Sequence, residues 1–313
     1  MKNLKKIISA AMLTFTGVAA HAQQAPLYTH YMYNTLTVNP AYAGSRDALT
    51  ITALHRSQWV DFKGAPSTQT LTMHSPINNQ HIGLGLSVMN DKIGPVNNTN
   101  ATLDFAYIMK LNKKSKLALG LSAGVNIFQA SLNTLQLDDQ TDPLFANNIS
   151  NHSTPNFGFG AYYSRERFYA GISAPSLLQN NYSVATKPDG SSLIGKEQRH
   201  YFYIMGAVFK LSDDLDFKPT TLVKVTAAAP IQADLTASFI IMEKILLGAM
   251  YRTGDGFGGL IGFNVSDQLH IGYSYDWSMG LKTSKYNSGS HEVMLRYDFI
   301  FASKKQIHSP RYF

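Results

Sequence analysis

The chain has no cysteine, only two tryptophans in 313 residues, and a charged fraction of just 15%. Without cysteine there are no disulfide staples and no thiolate metal sites, so stability has to come from the fold itself. After residue 22 no apolar run is long enough for a membrane helix. The formal net charge is +7, but Lys2, Lys5 and Lys6 account for part of it, and the remaining basic residues are scattered. No run of Lys and Arg resembles a nucleic-acid patch. What the chain does have is aromatic residues, with 17 Tyr and 17 Phe.

The first residues read as a leader. Lys2, Lys5 and Lys6 precede an apolar run from Ile7 to Ala20, followed by Ala20-His21-Ala22. A basic start, a short apolar stretch and a small-residue A-x-A site form a secretory signal peptide. Residues 1–22 are therefore set aside as a signal, and the exported chain is expected to begin at Gln23.

The stretch from Phe257 to Phe301 organises the remainder. Phe257, Ile261, Phe263 and Val265 alternate with Gly258, Leu260, Gly262 and Asn264. Leu269, Ile271, Tyr273, Tyr275 and Trp277 alternate with His270, Gly272, Ser274 and Asp276. Val293, Leu295, Tyr297 and Phe299 alternate with Glu292, Met294, Arg296 and Asp298. Successive side chains of a strand point to opposite faces, so each segment has one apolar and one mostly small or charged side. A soluble sandwich would show the same alternation. Aromatic residues near the ends of the apolar faces, glycine and charge opposite them, and strands of roughly 9–11 residues favour a membrane barrel.

From Asp47 onward the pattern yields fourteen strand candidates: 47–59, 67–75, 81–91, 98–110, 116–129, 155–164, 167–174, 199–211, 215–227, 231–242, 245–252, 256–265, 268–277 and 289–302. The links after even-numbered candidates are tight, as at Ile77–Gln80, Ser212–Asp214 and Glu243–Lys244. Those after odd-numbered ones include the long loops Ala130–Thr154 and Pro175–Gln198. Short turns on one side and long loops on the other is the asymmetry of an outer-membrane barrel. The expected architecture is an all-β transmembrane antiparallel barrel of about 14 strands with an N-terminal periplasmic segment. A β-sandwich with one elaborate end is the competing architecture. The parts are residues 1–22 (signal), 23–46 (extension with a turn at Asn39-Pro40, packed against or inside a barrel end), 47–302 (barrel) and 303–313 (periplasmic tail).

Alternation places Arg56, Asp104, Lys218, Lys224, Asp234, Arg252, Asp276, Glu292, Arg296 and Asp298 on the face turned away from lipid. Nearly balanced signs favour internal ion pairs over a strongly ion-selective pore. Asp138, Asp139 and Asp142 crowd one loop, but the spacing lacks the glycine and final glutamate of an EF-hand, so a solvated acidic turn is the better reading. No motif frames a serine nucleophile near His270 or His291, and His291-Glu292 lacks a second histidine at zinc spacing. The glycines of Gly83-Leu84-Gly85 and Gly254–Gly259 precede no helix that would cradle phosphate, and are read as tight packing on the lumen face. No catalytic group, metal site or cofactor is expected.

Several stretches resemble one family. They are Tyr31-Met32-Tyr33-Asn34, Asn39-Pro40-Ala41-Tyr42-Ala43-Gly44-Ser45, Arg56-Ser57-Gln58-Trp59 with Gly64-Ala65-Pro66, and Gly83-Leu84-Gly85 with Asn90-Asp91-Lys92-Ile93-Gly94-Pro95. Tyr273-Ser274-Tyr275-Asp276, Ser290-His291-Glu292 and Pro310-Arg311-Tyr312-Phe313 complete the set. Together they resemble the PorP/SprF outer-membrane proteins of the Bacteroidota type IX secretion system. The resemblance implies a barrel in the outer membrane that serves protein secretion or gliding and is no enzyme. Its implied partners are periplasmic secretion components or a secreted surface protein carrying a C-terminal secretion signal. Partner contact is expected around the shared motifs, at Asn39, Pro40, Tyr42, Gly44, Arg56 and Trp59. The alternative function is a transporter of hydrophobic small molecules.

Overall fold

A computed structural model describes residues 26–77, 80–135, 148–186, 192–227, 229–279 and 286–300. Fourteen antiparallel strands form a closed barrel. In chain order they are β1 (Leu49–Ser57), β2 (Ser67–Ile77), β3 (Ile82–Ile93), β4 (Val96–Asn112), β5 (Ser115–Ala130), β6 (Ile149–Arg165) and β7 (Phe168–Ala174). Then follow β8 (His200–Ala207, continued at Phe209–Lys210), β9 (Leu215–Thr226), β10 (Gln232–Ile241), β11 (Ile245–Arg252), β12 (Gly256–Asn264), β13 (Leu269–Ser278) and β14 (Ser290–Phe299). Each strand pairs with its chain neighbour, and β14 closes onto β1 in a register running from Leu49↔Phe299 to Ser57↔His291. Closure removes both sheet edges, which would otherwise expose unpaired backbone groups to lipid.

The outer wall follows the alternation. Leu103, Phe105 and Tyr107 on β4, Leu119 and Leu121 on β5, and Phe157 and Phe159 on β6 all face outward and are exposed. On β4 the outward apolar positions run from Ala101 to Met109. At a rise of ~3.4 Å and a tilt of ~40° that stretch spans roughly 21 Å, close to the apolar band of outer-membrane barrels.

Strands β4 to β6 continue beyond this band, at 16 or 17 residues each. There the outward side chains are amides that link the strands. Asn90 donates to Asn97 Oδ1 (2.8 Å), Asn97 to Gln129 Oε1 (3.3 Å), and Gln129 to Asn151 Oδ1 (2.6 Å). A small inward cluster of Phe128, Ala130, Val96 and Ile149 apart, β4 and β6 are polar on both faces in this zone, so alternation gives no sign of it. That is why β4 and β6 run past the expected 98–110 and 155–164.

Tight turns join β2 to β3, β4 to β5 and every later even strand to its successor, which defines a turn end. The opposite, loop end carries the links between β5 and β6, β7 and β8, and β13 and β14. The β7–β8 link contains a separate hairpin, Asn181–Thr186 with Ser192–Lys196, that no strand candidate covered. The β3–β4 connection, at the loop end, shrinks to Gly94-Pro95, where Gly94 takes a φ of 56° that favours glycine.

Candidate functional site: a plugged lumen

The N-terminal extension runs inside the barrel. From Tyr28 to Ala43 nearly every side chain is buried, with Thr29, His30, Tyr31, Asn39, Ala41 and Ala43 at 0% exposure. The segment expected at the periplasmic side, against or inside a barrel end, is therefore a plug. Its aromatic and small residues have no strand period because they are surrounded by wall on all sides.

The plug descends from the loop end to the turn end. At the loop end, the Thr29 and His30 backbone N–H groups donate to the two oxygens of Glu292 at 2.9 and 2.7 Å. The Thr29 hydroxyl donates to Asp276 at 2.8 Å. Midway, Asn34 donates to Thr70 Oγ1 (2.8 Å) and accepts from Thr72 Oγ1 (2.9 Å), while Tyr31 donates to Thr220 on β9 (3.1 Å). Near the turn end, Arg46 meets Asp298 with Nη2 at 2.9 Å from Oδ2. Anchors on β1–β2, β6–β7, β9 and β13–β14 hold the segment around most of the circumference.

Asn39 and Pro40 explain the bend between these levels. Asn39 caps a single 3-10 turn, Pro40–Tyr42, by accepting from the Ala41 N–H at 3.0 Å, and Pro40 occupies the first helical position, where its missing N–H costs nothing. The Asn39 amide nitrogen donates to the Ala161 carbonyl of β6 at 3.1 Å. Here the backbone touches the wall, and glycine is what permits it. A Cβ at Gly83 would overlap the Ala43 carbonyl, one at Gly120 the Ala41 backbone, and one at Gly160 the Asn39 side-chain oxygen. Gly85 faces Leu36 and Gly272 faces His30 in the same way. Of the glycines read from the sequence as lumen packing, Gly83 and Gly85 are thus seats for the plug, whereas Gly256 and Gly258 pack against neighbouring strands and Gly254 and Gly259 have open space beside them.

All ten charges expected away from lipid point inward and are buried. Five of them, Arg56, Asp234, Arg252, Asp276 and Glu292, assemble with His30 of the plug into a chain of alternating sign. His30 and Arg56 share Glu292 (2.8 and 3.2 Å), Arg56 also meets Asp276 at 2.6 Å, Arg252 lies 3.9 Å from Asp276, and Arg252 grips Asp234 with two bonds of 2.8 Å. Arg296 lies 3.7 Å from Asp298. Lys218 and Arg296 both sit over the Tyr33 ring, 4.5 and 5.1 Å from its centroid. Lys224 and Asp104 line the lumen from β9 and β4. Pairing of this kind offsets the desolvation of each ion, and removing one partner leaves the other charge buried.

Of the six residues expected at partner contacts, Asn39, Pro40, Tyr42 and Gly44 belong to the plug and touch the wall. Tyr42 packs edge-on against Tyr162 and His74, and Gly44, at φ 69°, donates its N–H to His74 Nδ1 at 3.2 Å. Arg56 is in the ion-pair chain. Trp59 lies apart, in the loop after β1, where its backbone N–H donates to Ser290 Oγ at 3.2 Å. His270 faces inward against Tyr33, whereas His291 faces outward and bonds Tyr273, so these two do not converge on Ser274. The acidic run 138–142, the leader and the tail from 301 lie outside the described residues. Sequence reading missed Thr29, His30, Asn34 and Arg46 as anchors, since their partners lie up to 263 residues away.

A family model described as "Type IX secretion system membrane protein PorP/SprF" matches residues 20–297. The chain belongs to this family. No curated protein sequence matches it. Among solved structures it is similar to CymD, a monoaromatic hydrocarbon channel, at 10% identity, covering 86% of this chain and 93% of that one with a TM-score of 0.50. It is also similar to the Acinetobacter baumannii outer membrane protein Omp33, at 9% identity, 82% and 100% coverage and a TM-score of 0.47. A Pseudomonas aeruginosa FadL homologue matches at 12% identity, 84% and 93% coverage and a TM-score of 0.46. At such identities the likeness is one of fold. Together, the fold and the PorP/SprF family make this an outer-membrane component of type IX secretion, of a class that works in the membrane rather than as an enzyme.

Proposed function

We propose that this PorP/SprF protein is a docking barrel, which holds a secreted surface protein at its loop end while its turn end meets periplasmic secretion partners. The observation that carries the reading is the lumen. It is filled by the chain's own Tyr28–Arg46 segment and bound by buried ion pairs, which suits a rigid platform better than a conduit. Surface for a partner is supplied instead by the raised β4–β6 wall and the Asn181–Lys196 hairpin. In this reading the shared motif residues Asn39, Pro40, Tyr42, Gly44 and Arg56 act by fixing the plug, and Trp59 stands at the docking end.

Transport of hydrophobic molecules is the rival reading, and the charged lumen opposes it. A mild-detergent pull-down of the full chain from outer membranes, followed by mass spectrometry, tests the proposal. Recovery of a large secreted protein or of periplasmic secretion components supports docking, and removal of residues 181–196 abolishes capture if the hairpin takes part. A barrel recovered alone, together with uptake of a hydrophobic probe into liposomes, would favour transport.

A further inference from the structure

Between the plug and the wall lies a cavity of about 100 Å³ whose chemistry the docking reading does not use. Its apolar lining comes from Tyr28, Leu36 and Val38 of the plug, Met89 of β3 and Phe202 of β8. Its polar wall is Ser87, Asp104 and Ser122, on the adjacent strands β3, β4 and β5.

The polar wall is under-satisfied. Asp234, Asp276, Glu292 and Asp298 each face an arginine. Asp104 is 5% exposed, and among the described residues its contact is the Ser87 hydroxyl, at 3.4 Å. Ser122 stands directly opposite Asp104 in the β4–β5 register, is 7% exposed, and its hydroxyl has no hydrogen-bond partner among the described residues. An ionised carboxylate offers about four acceptor sites and is costly to bury with one long contact.

We propose that this cavity binds a primary ammonium group, with Asp104 as counter-ion and the Ser122 and Ser87 hydroxyls as acceptors. Three N–H donors on one centre match a carboxylate flanked by two hydroxyls. The apolar lining suits an alkyl stem, as it does when lysine buries its methylenes and keeps its charge on a polar partner. A divalent metal fits poorly, because one carboxylate and two hydroxyls fall short of its usual oxygen shell. The volume admits a short alkylamine or the end of a lysine side chain. Asn100, Thr102 and His200 add further polar lining, and Pro26, Pro175 and Ser176 are among the remaining residues, so β7–β8 loop residues form part of the wall. The site stands whether or not the docking reading does.

The test uses the full barrel in detergent and n-butylammonium as probe, with butan-1-ol as its neutral twin. Saturable calorimetric binding of the amine but not the alcohol is expected, and Asp104→Asn should weaken it at least ~10-fold, about 1.4 kcal/mol. Heat-modifiable gel migration verifies that the variant is folded, and the amine-against-alcohol comparison on the unaltered protein decides the matter if it is not. A short peptide with one lysine, compared with its norleucine version, identifies the source. Lysine-dependent binding points to a partner's side chain, and binding of butylammonium alone points to a free amine. Absence of saturable amine binding, equal binding of the alcohol, unchanged affinity in folded Asp104→Asn, or displacement of the amine by equimolar sodium or potassium would each overturn the proposal.

Discussion

His30 meets Glu292 twice: its backbone N–H donates to Oε1 at 2.7 Å, and its ring Nδ1 lies 2.8 Å from the same oxygen. Both side chains are fully buried. Arg56 reaches the other oxygen of that carboxylate, so a single wall residue joins the plug to the ion-pair chain.

Glu292→Ala should cost about 3–5 kcal/mol, because it removes one of the two carboxylates that Arg56 meets and leaves the Thr29 and His30 N–H groups without their acceptor in a buried setting. The urea midpoint of the folded barrel should fall accordingly. Limited proteolysis should also cut within residues 26–46, which are protected in the parent. A variant with an unchanged midpoint and an intact plug would show that Glu292 is dispensable.

Gly120→Val should disrupt the plug far more than Gly259→Val. At Gly120 a Cβ would overlap the Ala41 backbone, whereas at Gly259 nothing lies within 4 Å. Overpacking of a tight contact costs about 1–3 kcal/mol or more. Protease access to the plug, measured side by side in the two variants, checks the contrast.

Asn39→Ala removes the cap of the Pro40–Tyr42 turn and the donor to Ala161. Loss of a cap together with a buried hydrogen bond is expected to destabilise by about 1–3 kcal/mol. Asn39→Asp, which would set a buried carboxylate against the Ala161 and Ile172 carbonyls, should unfold at least as early as the alanine variant in thermal unfolding.

In planar bilayers the intact barrel should show little steady conductance. Removing residues 26–46 empties the centre of a fourteen-stranded ring and should open a lasting aqueous path. Equal conductance of the two forms would mean that the plug does not seal the lumen.

The barrel was legible where one face met lipid and the other did not. β12, β13 and β14 show this best, with Phe257, Tyr273 and Leu295 outward and Gly258, Ser274 and Glu292 inward. Strand number followed from the same contrast. The upper parts of β4 and β6 were not legible, because Asn97, Thr99 and Asn151 face outward above the apolar band, where inward neighbours are polar as well. The direction of the lumen charges could be read from alternation, but their partners could not. Nothing local in His30 or Arg46 points to Glu292 or Asp298, more than 250 residues further on.

That distance has a consequence for assembly. Three of the carboxylates that hold the plug, Asp276, Glu292 and Asp298, are carried by the last two strands, while the groups they hold belong to the first 56 residues. Until those strands arrive, the contacts of Arg46 with Asp298, of Arg56 with Asp276 and Glu292, and of Thr29 and His30 with Glu292 cannot form. A chain that stops short of β13 therefore lacks both the seam and the lock. Completion of the barrel is in this way checked from within, since the segment made first is fully secured when the segments made last are in place.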